Sequence, residues 1–316
     1  MDLAVIIVSY NVRALLASCL RSLQASLVAC GCEAEVLVVD NASSDGSAAM
    51  VRAEFPAVRL LEPGANLGFA RGNNEALRTL GFGHRGAAAE RPFAVWLLNP
   101  DTEVVADTPA RLLAHLRANP RIGAVGPSLR YGDGRFQHAA FAFPGLFQIV
   151  FDLFPGHPRL LESSLNGRYA RAAYTAGCPF AVDMLLGAAL MVRGEAVAQV
   201  GLLDEHYFMY AEELDWCRRL KRAGWAVKVV PAAVVVHHEG QSTRQFREAM
   251  FVALWRSRLR YYQKFERPVY VAVVRWLLRL GMAWQTRQAR AGAARGTVDP
   301  AQLERRLAAY AEVAAL

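Results

Sequence analysis

Carboxylate, amide and imidazole side chains cluster in this chain just beyond stretches apolar enough to be buried strands. Asp101 closes the run Leu97-Leu98-Asn99-Pro100-Asp101. A carboxylate just past a buried strand can hold a hard divalent cation through oxygen, as Mg²⁺ or Mn²⁺ bound to a diphosphate requires. An Asx-turn that only satisfies loop backbone is the structural alternative there. Asp40 follows Val36-Leu37-Val38-Val39 and could accept hydrogen bonds from a ribose or a base, while Ser43, Ser44 and Asp45 suit the cap of the next helix. Residues 66–74 combine Gly68 and Gly72 with asparagines and Arg71, a composition that lets backbone approach a ligand and puts helix N-terminal amides beside phosphate. Glu212, Glu213 and Asp215 open a stretch with helical pattern that ends at Ala223-Gly224. Acids suit a helix's first turn because of its dipole, and Asp215 to Arg219 is an i,i+4 pair. Three acids beside Tyr207, Phe208 and Tyr210 also offer a general base for a hydroxyl. His237-His238 closes a short β run, where an imidazole could ligate the same metal or contact a diphosphate, although a surface histidine is the commoner outcome.

Such residues work together only if the chain brings them together, and the N-terminal pattern predicts how. Ala4–Ser9, Glu35–Val39, Arg59–Glu62 and Phe93–Leu98 read as strands, the first a continuous β-branched run suited to burial on both faces. Helical spacing over 12–30, 47–55 and 72–79 alternates with them. This β-α-β-α order predicts an α/β fold with a parallel sheet and right-handed crossovers, whose ligands sit at the carboxyl ends of the strands. Ser9-Tyr10-Asn11, the segment Asp40–Gly46 and Asn99-Pro100-Asp101 fall at those ends. Residues 144–176, with Pro144, Pro155 and Pro158, read as a loop-rich insertion. Strands are predicted at 187–193, 226–230 and 234–238, a helix at 211–223, and helices from about 246 to the end, broken at Pro268, at 291–296 and at Pro300.

Composition narrows the classes of function. The 316 residues are 54% hydrophobic and 20% charged, enough for a substantial core and far from the signature of disorder. Mean hydropathy is +0.16, yet no run of about 18 uncharged apolar residues is present, which argues against a spanning helix. The Met1–Val8 stretch lacks a basic region and enters a strand, so no signal peptide is expected. Five cysteines without a CxxC pair predict reduced thiols in a cytoplasmic protein. The net charge of +8 is uneven: 244–295 holds 12 basic residues against Glu248 and Glu266, a local +10, which leaves −2 elsewhere. A near-neutral body with a basic C-terminal region is therefore expected, its anionic partner a nucleic acid or a membrane surface.

Order and spacing together resemble the family-2 inverting glycosyltransferases of the GT-A fold, in particular their rhamnosyltransferase-like branch. The resemblance spans about residues 3–262 and is carried by Val5–Asn11 (VIIVSYN), Val38–Ser47 (VVDNASSDGS), Asn66–Ala70 (NLGFA) and Leu97–Asp101 (LLNPD). It continues through Gly187-Ala188, Gly201–Glu205 (GLLDE), Phe208–Asp215 (FMYAEELD) and His237–Ser242 (HHEGQS). It implies a Rossmann-like nucleotide-binding core with a mostly parallel sheet, flanking helices and a C-terminal helical extension. It further implies a nucleotide-diphosphate sugar donor, Mg²⁺ or Mn²⁺, and a glycan or lipid-linked acceptor in cell-surface polysaccharide assembly, with dTDP-rhamnose as the candidate donor. On this resemblance Ser9, Tyr10, Asn11 and Asp40 hold the nucleoside, with Asn66, Arg71 and Asn99 nearby. Asp101 takes the metal where relatives carry an Asp-x-Asp triad, and His237 matches the family's downstream histidine. Glu213 matches the proposed catalytic base, with Glu212 and Asp215 beside it; the pair here is Glu-Glu where the family has Glu-Asp. Arg71 stands where relatives commonly have a small residue.

These readings divide the chain into a glycosyltransferase domain, 1–245, and a basic helical region, 246–316. The first splits into a donor half, 1–105, and an acceptor half, 106–245. Val269, Val273, Trp276, Leu277, Leu280 and Trp284 share one helical face among arginines, which suits an interfacial anchor on an anionic cytoplasmic leaflet or, equally, a packed or homodimeric helix. Nucleic acid is not expected as a partner. A non-catalytic nucleotide-sugar-binding protein is the rival reading from another class. A sugar nucleotidyltransferase is a weaker one, because residues 9–16 lack its Gly-rich phosphate loop.

Overall fold

The computed structural model describes residues 1–83, 91–154, 156–238 and 247–316. In chain order its elements begin β1 (Leu3–Ser9), α1 (Arg13–Cys30), β2 (Ala34–Asp40), α2 (Ser47–Glu54), β3 (Arg59–Leu61), α3 (Gly68–Thr79), β4 (Ala94–Leu98) and β5 (Thr102–Val104). Next come α4 (Thr108–Ala118), β6 (Ile122–Arg130), β7 (Phe136–Gln137), β8 (Ala140–Phe141), α5 (Leu146–Leu153), α6 (Pro158–Leu161) and α7 (Arg171–Thr175). The chain then forms β9 (Phe180–Ala181), β10 (Met184–Leu185), β11 (Ala189–Arg193), α8 (Gly194–Val200), α9 (Glu212–Arg222), β12 (Ala226–His237), α10 (Arg247–Phe265), α11 (Pro268–Ala294) and α12 (Pro300–Ala315). They form two compact units. The first comprises Met1–Phe143, Tyr169–Phe208 and Glu212–Ser242, and the second Pro144–Arg168, Met209–Ala211 and Thr243–Leu316.

The first unit is built on a sheet of order β3-β2-β1-β4-β11-β6-β12-β5. Strands β3, β2, β1 and β4 run parallel, as their alternation with helices predicts, and Leu3–Ile7 and Ala94–Leu97 have no solvent exposure. Strand β11 enters antiparallel between β4 and β6, and β5 closes the far edge antiparallel to β12. The parallel register sets Ser9 level with Asp40 and Ile6 level with Leu97, so β1, β2 and β4 end side by side. That register delivers the polar tails of three separate strands to one edge of the sheet.

Several boundaries differ from the periodic reading. Helix α3 begins at Gly68 rather than at Gly72. The two short strands expected over 226–238 are one, β12, with an irregularity between Val230 and Val234, where Pro231 cannot donate to the ladder. Strand β6 lies outside the periodic pattern, because Gly123, Gly126 and Pro127 dilute its β signal.

The second unit is helical. The stretch 144–176, expected to be a loop-rich insertion, contains the short helices α5, α6 and, within the first unit, α7, and α5 packs on α11. Pro268 and Pro300 start α11 and α12, where the missing N–H costs nothing, and the Asp299 carboxylate caps α12 by accepting the Gln302 amide at 3.1 Å. Trp255, Tyr262, Val274, Leu278 and Val313 fill the interior, and Arg258 pairs with Asp152. Among the described residues no helix is long and apolar enough to cross a membrane.

Candidate active site

At the ends of β1 and β2 the expected nucleoside residues form a braced pair of loops. Asn11 has φ +53° and its side-chain oxygen accepts the Ser44 amide at 2.7 Å, while its own amide donates to Ser43 Oγ. Asp40 accepts the Ser43 amide through Oδ2, leaving Oδ1 buried without a partner. Ser9, wholly buried, leaves its hydroxyl unpartnered too. Burial would raise the Asp45 carboxyl, but hydrogen bonds from Ser47 and from the Arg13 amide outweigh it and hold the group below its ordinary range. These bonds make Asp45 the residue that ties this loop to the start of α2. Ala42 has φ +61°, costly for a residue with a Cβ, so backbone strain gathers where the strands end. Tyr10 is half-buried beside them.

Residues 66–70, which lead into α3, are held against this edge by close backbone approach. A Cβ on Gly68, at φ +75°, would lie 2.3 Å from the Phe208 carbonyl, which accepts the Phe69 amide at 2.9 Å. Asn66 is exposed and accepts the Gly68 amide, and Arg71 lies 3.9 Å from Glu205 at the solvent edge. Asn41, not singled out in the sequence, is buried, donates to the Gly68 carbonyl and keeps Oδ1 unpartnered. Its only sequence signal is its place between Asp40 and the helix cap.

Asp101 and His237 meet. His237 Nε2 lies 3.4 Å from Asp101 Oδ1, both residues are buried, and the adjacent His238 amide donates to the Asp101 carbonyl at 2.8 Å. His238 itself turns to Glu103 at 2.9 Å, so His237 is the histidine of this site. Behind it, Gln137 Nε2 lies 3.2 Å from His237 Nδ1 and orients the ring. Gln137 sits on the two-residue strand β7, too short to leave a periodic signal. Asp101 Oδ1 makes no hydrogen bond. One carboxylate oxygen and one imidazole nitrogen suit Mg²⁺ or Mn²⁺, with phosphate oxygens and water completing the shell. Among the described residues no larger cluster of His, Cys, Asp and Glu competes with this pair. Cys19 lies under the same turn, against the Asn99 carbonyl and Thr102, and burial pushes its thiol up to about 12, so it stays protonated and structural.

Glu213 stands near them through one short backbone stretch. The Asn99 amide donates to the Ala188 carbonyl at 2.9 Å, and the neighbouring Gly187 amide bonds the Glu213 carboxylate. A Cβ on Gly187 would lie 3.4 Å from the Phe69 ring and 3.7 Å from Glu213 Cβ, so residues 66–70 border the same spot. Glu213 Oε2 is buried without a hydrogen-bond partner, and burial raises this carboxyl above its ordinary range despite amides from Gly187, Glu213 and Leu214. A base of raised affinity for a proton, close to the Asn99–Asp101 turn, is what deprotonation of an alcohol needs. Glu212 is buried one residue away, at the start of α9, and Tyr210 and Ala211 before it both have positive φ.

Asp215 behaves differently. It is wholly buried, receives Arg219 Nε at 2.6 Å and accepts the Tyr207 hydroxyl at 3.3 Å, while Arg219 also donates to the carbonyls of Val200 and Leu202. These contacts make it a brace for the approach to α9. Asp215→Ala is expected to cost about 3–5 kcal/mol, because it strands Arg219 without its anion. Urea unfolding measures that cost, and a loss within experimental error of zero would refute the bracing role.

A mostly parallel α/β sheet whose strands end in amides and acids is the architecture of a GT-A glycosyltransferase. The chain belongs to glycosyl transferase family 2: that family's model matches residues 4–143, and the related glycosyl transferase family group 2 matches 163–293. It is 32% identical over 262 residues to the N-acetylglucosaminyl-diphospho-decaprenol L-rhamnosyltransferase of Mycobacterium tuberculosis, covering 78% of this chain and 80% of that one. The mannosyltransferase of Pyrobaculum calidifontis solved with GDP-Man and Mn²⁺ superposes with TM-score 0.57 at 19% identity, covering 99% of this chain and 86% of that one. GalNAc-T7 solved with UDP, GalNAc and Mn²⁺ superposes with TM-score 0.52 at 14% identity over 75% of this chain and 44% of its own.

Proposed function

We propose that this enzyme moves L-rhamnose from dTDP-rhamnose to a hydroxyl of a lipid-linked N-acetylglucosaminyl diphosphate, with inversion at the anomeric carbon. The sugar and the acceptor are drawn from the mycobacterial relative. The observation that supports the chemistry is that the turn leading to Asp101 bonds the Ala188 carbonyl through the Asn99 amide, while the adjacent Gly187 amide bonds the buried Glu213 carboxylate. In this reading Ser9, Asp40 and Asn41 take the nucleoside through buried atoms that have no protein partner, and Tyr10 and Asn11 shape the loop around it. Asn66 and Arg71 border the donor, and Asn99 sets the turn that presents Asp101. The acceptor oxygen attacks the anomeric carbon from the face opposite the diphosphate, and its proton passes to Glu213. The carbon–oxygen bond to the diphosphate breaks as the new one forms, and the nucleoside diphosphate leaves. Asp101 and His237 would hold Mg²⁺ or Mn²⁺, which supplies positive charge to the departing diphosphate.

The reaction belongs at the inner face of the plasma membrane, where a lipid-linked acceptor would be presented and where the basic second unit would hold the chain peripherally. Incubation with a panel of nucleotide sugars and an N-acetylglucosaminyl-diphospho-lipid tests this reading. Release of dTDP from dTDP-rhamnose that depends on the acceptor is the expected result. Release from another nucleotide sugar alone would overturn the donor assignment, and no release from any would overturn the reaction.

A further inference from the structure

Helix α11 presents two unlike faces. Val271, Val274, Leu278, Met282 and Ala289 are buried within the second unit. On the outer face Val269 is 75% exposed, Trp276 59% and Leu280 43%, with Trp284 at 38% on its flank. Val269, Trp276, Leu280 and Arg287 fall within about 40° of one another around the helix axis, and Arg275, Arg279 and Arg290 line one side of that stripe. These four arginines have no carboxylate partner among the described residues, whereas Arg256 and Arg258, on α10, pair with Glu312 and Asp152. Glu266 is the single acid between residues 249 and 298, and it shares with Arg275 and Arg279 an open cleft at the N-terminal part of the helix.

We propose that this face of α11 docks on an anionic phospholipid surface. Trp276 and Leu280, with Val269 and Trp284 beside them, enter the boundary between headgroups and acyl chains, where an aromatic ring with one polar edge is stable. Arg275, Arg279, Arg287 and Arg290 remain at headgroup level and pair with lipid phosphates, their methylene stems lying on the apolar layer. Charge selects the bilayer over a second copy of the chain: a two-fold contact through this stripe would set eight unpaired arginines against one another, four from each copy. The docking deepens the proposed reaction, which rests on a lipid-linked acceptor, but its binding step is separable from transfer.

Flotation of the full chain with vesicles tests it. The chain is expected to float with phosphatidylcholine vesicles that contain phosphatidylglycerol, to stay behind with phosphatidylcholine alone, and to be released by raised salt. Arg275→Gln/Arg279→Gln should weaken partition about fivefold per charge removed. Trp276→Ser/Leu280→Ser should weaken it roughly tenfold or more by taking apolar area out of the contact. Both variants should keep the wild-type thermal midpoint and wild-type transfer to a short, water-soluble acceptor. Equal flotation with neutral and anionic vesicles, or no change in either variant, overturns the proposal. So does a dimer in light scattering that Trp276→Ser/Leu280→Ser converts to monomer while wild type does not float. A chain that floats as described yet transfers no sugar sinks the reaction and leaves the docking face standing.

Discussion

Glutamine in place of Glu213 is expected to lower kcat by roughly a hundredfold or more while leaving donor affinity near wild type, since general-base catalysis contributes about 10²–10⁴. The substitution keeps the shape of the side chain and an oxygen for the Gly187 amide, and removes only the capacity to take a proton. Burial raises this carboxyl, so its proton is held to a higher pH than on an ordinary glutamate. A general base works in its deprotonated form. Activity should therefore fall as pH drops through that raised value, and the acid limb of kcat/KM should lie above the usual carboxylate range. Glu213→Gln should lose the limb altogether, whereas Glu212→Gln should retain it. Steady-state kinetics across pH decide the matter: near-wild-type turnover by the Glu213→Gln variant, or an acid limb that survives in it, would take the base role from Glu213.

Asp101→Ala is the second large effect. It removes the carboxylate oxygen that faces His237, yet the backbone bond from the His238 amide to the Asp101 carbonyl does not depend on the side chain, so the turn should persist. Transfer should drop by at least about a hundredfold, because charge that builds on the departing diphosphate loses its counter-ion. The direct readout is Mn²⁺ binding in the presence of dTDP, by calorimetry or electron paramagnetic resonance, which should vanish in the variant. Full activity of the wild-type enzyme in excess EDTA would defeat the metal assignment at Asp101.

Local patterns read along the chain already carry the donor half of the fold. The apolar runs ending at Ser9, Asp40 and Leu98 are bounded by polar turns, and a run of that kind has little choice but to be a covered parallel strand. The same runs announce which loops would hold ligand, because in a parallel sheet the carboxyl ends all point one way. Strand β6 and helix α5 are invisible in the pattern for the opposite reason. Glycines and a proline break the signal of the first, prolines bracket the second, and only packing against neighbours makes either worth forming.

Residue types and order along the chain determined the class of chemistry and nominated its acids. Which acid is paired and which keeps a buried, unpartnered oxygen was decided by tertiary structure. The motif Glu212-Glu213-Leu214-Asp215 names three carboxylates in one turn of helix. Asp215 proves to be locked to Arg219 and Tyr207, while Glu213 is dehydrated against the Gly187 amide. Likewise His237 and His238 are equivalent as letters, but at the end of β12 one faces Asp101 and the next residue faces Glu103. Proton affinity and ligand geometry depend on what surrounds a group within a few ångströms, and those neighbours come from residues as distant in the chain as Asn99, Gln137 and Gly187.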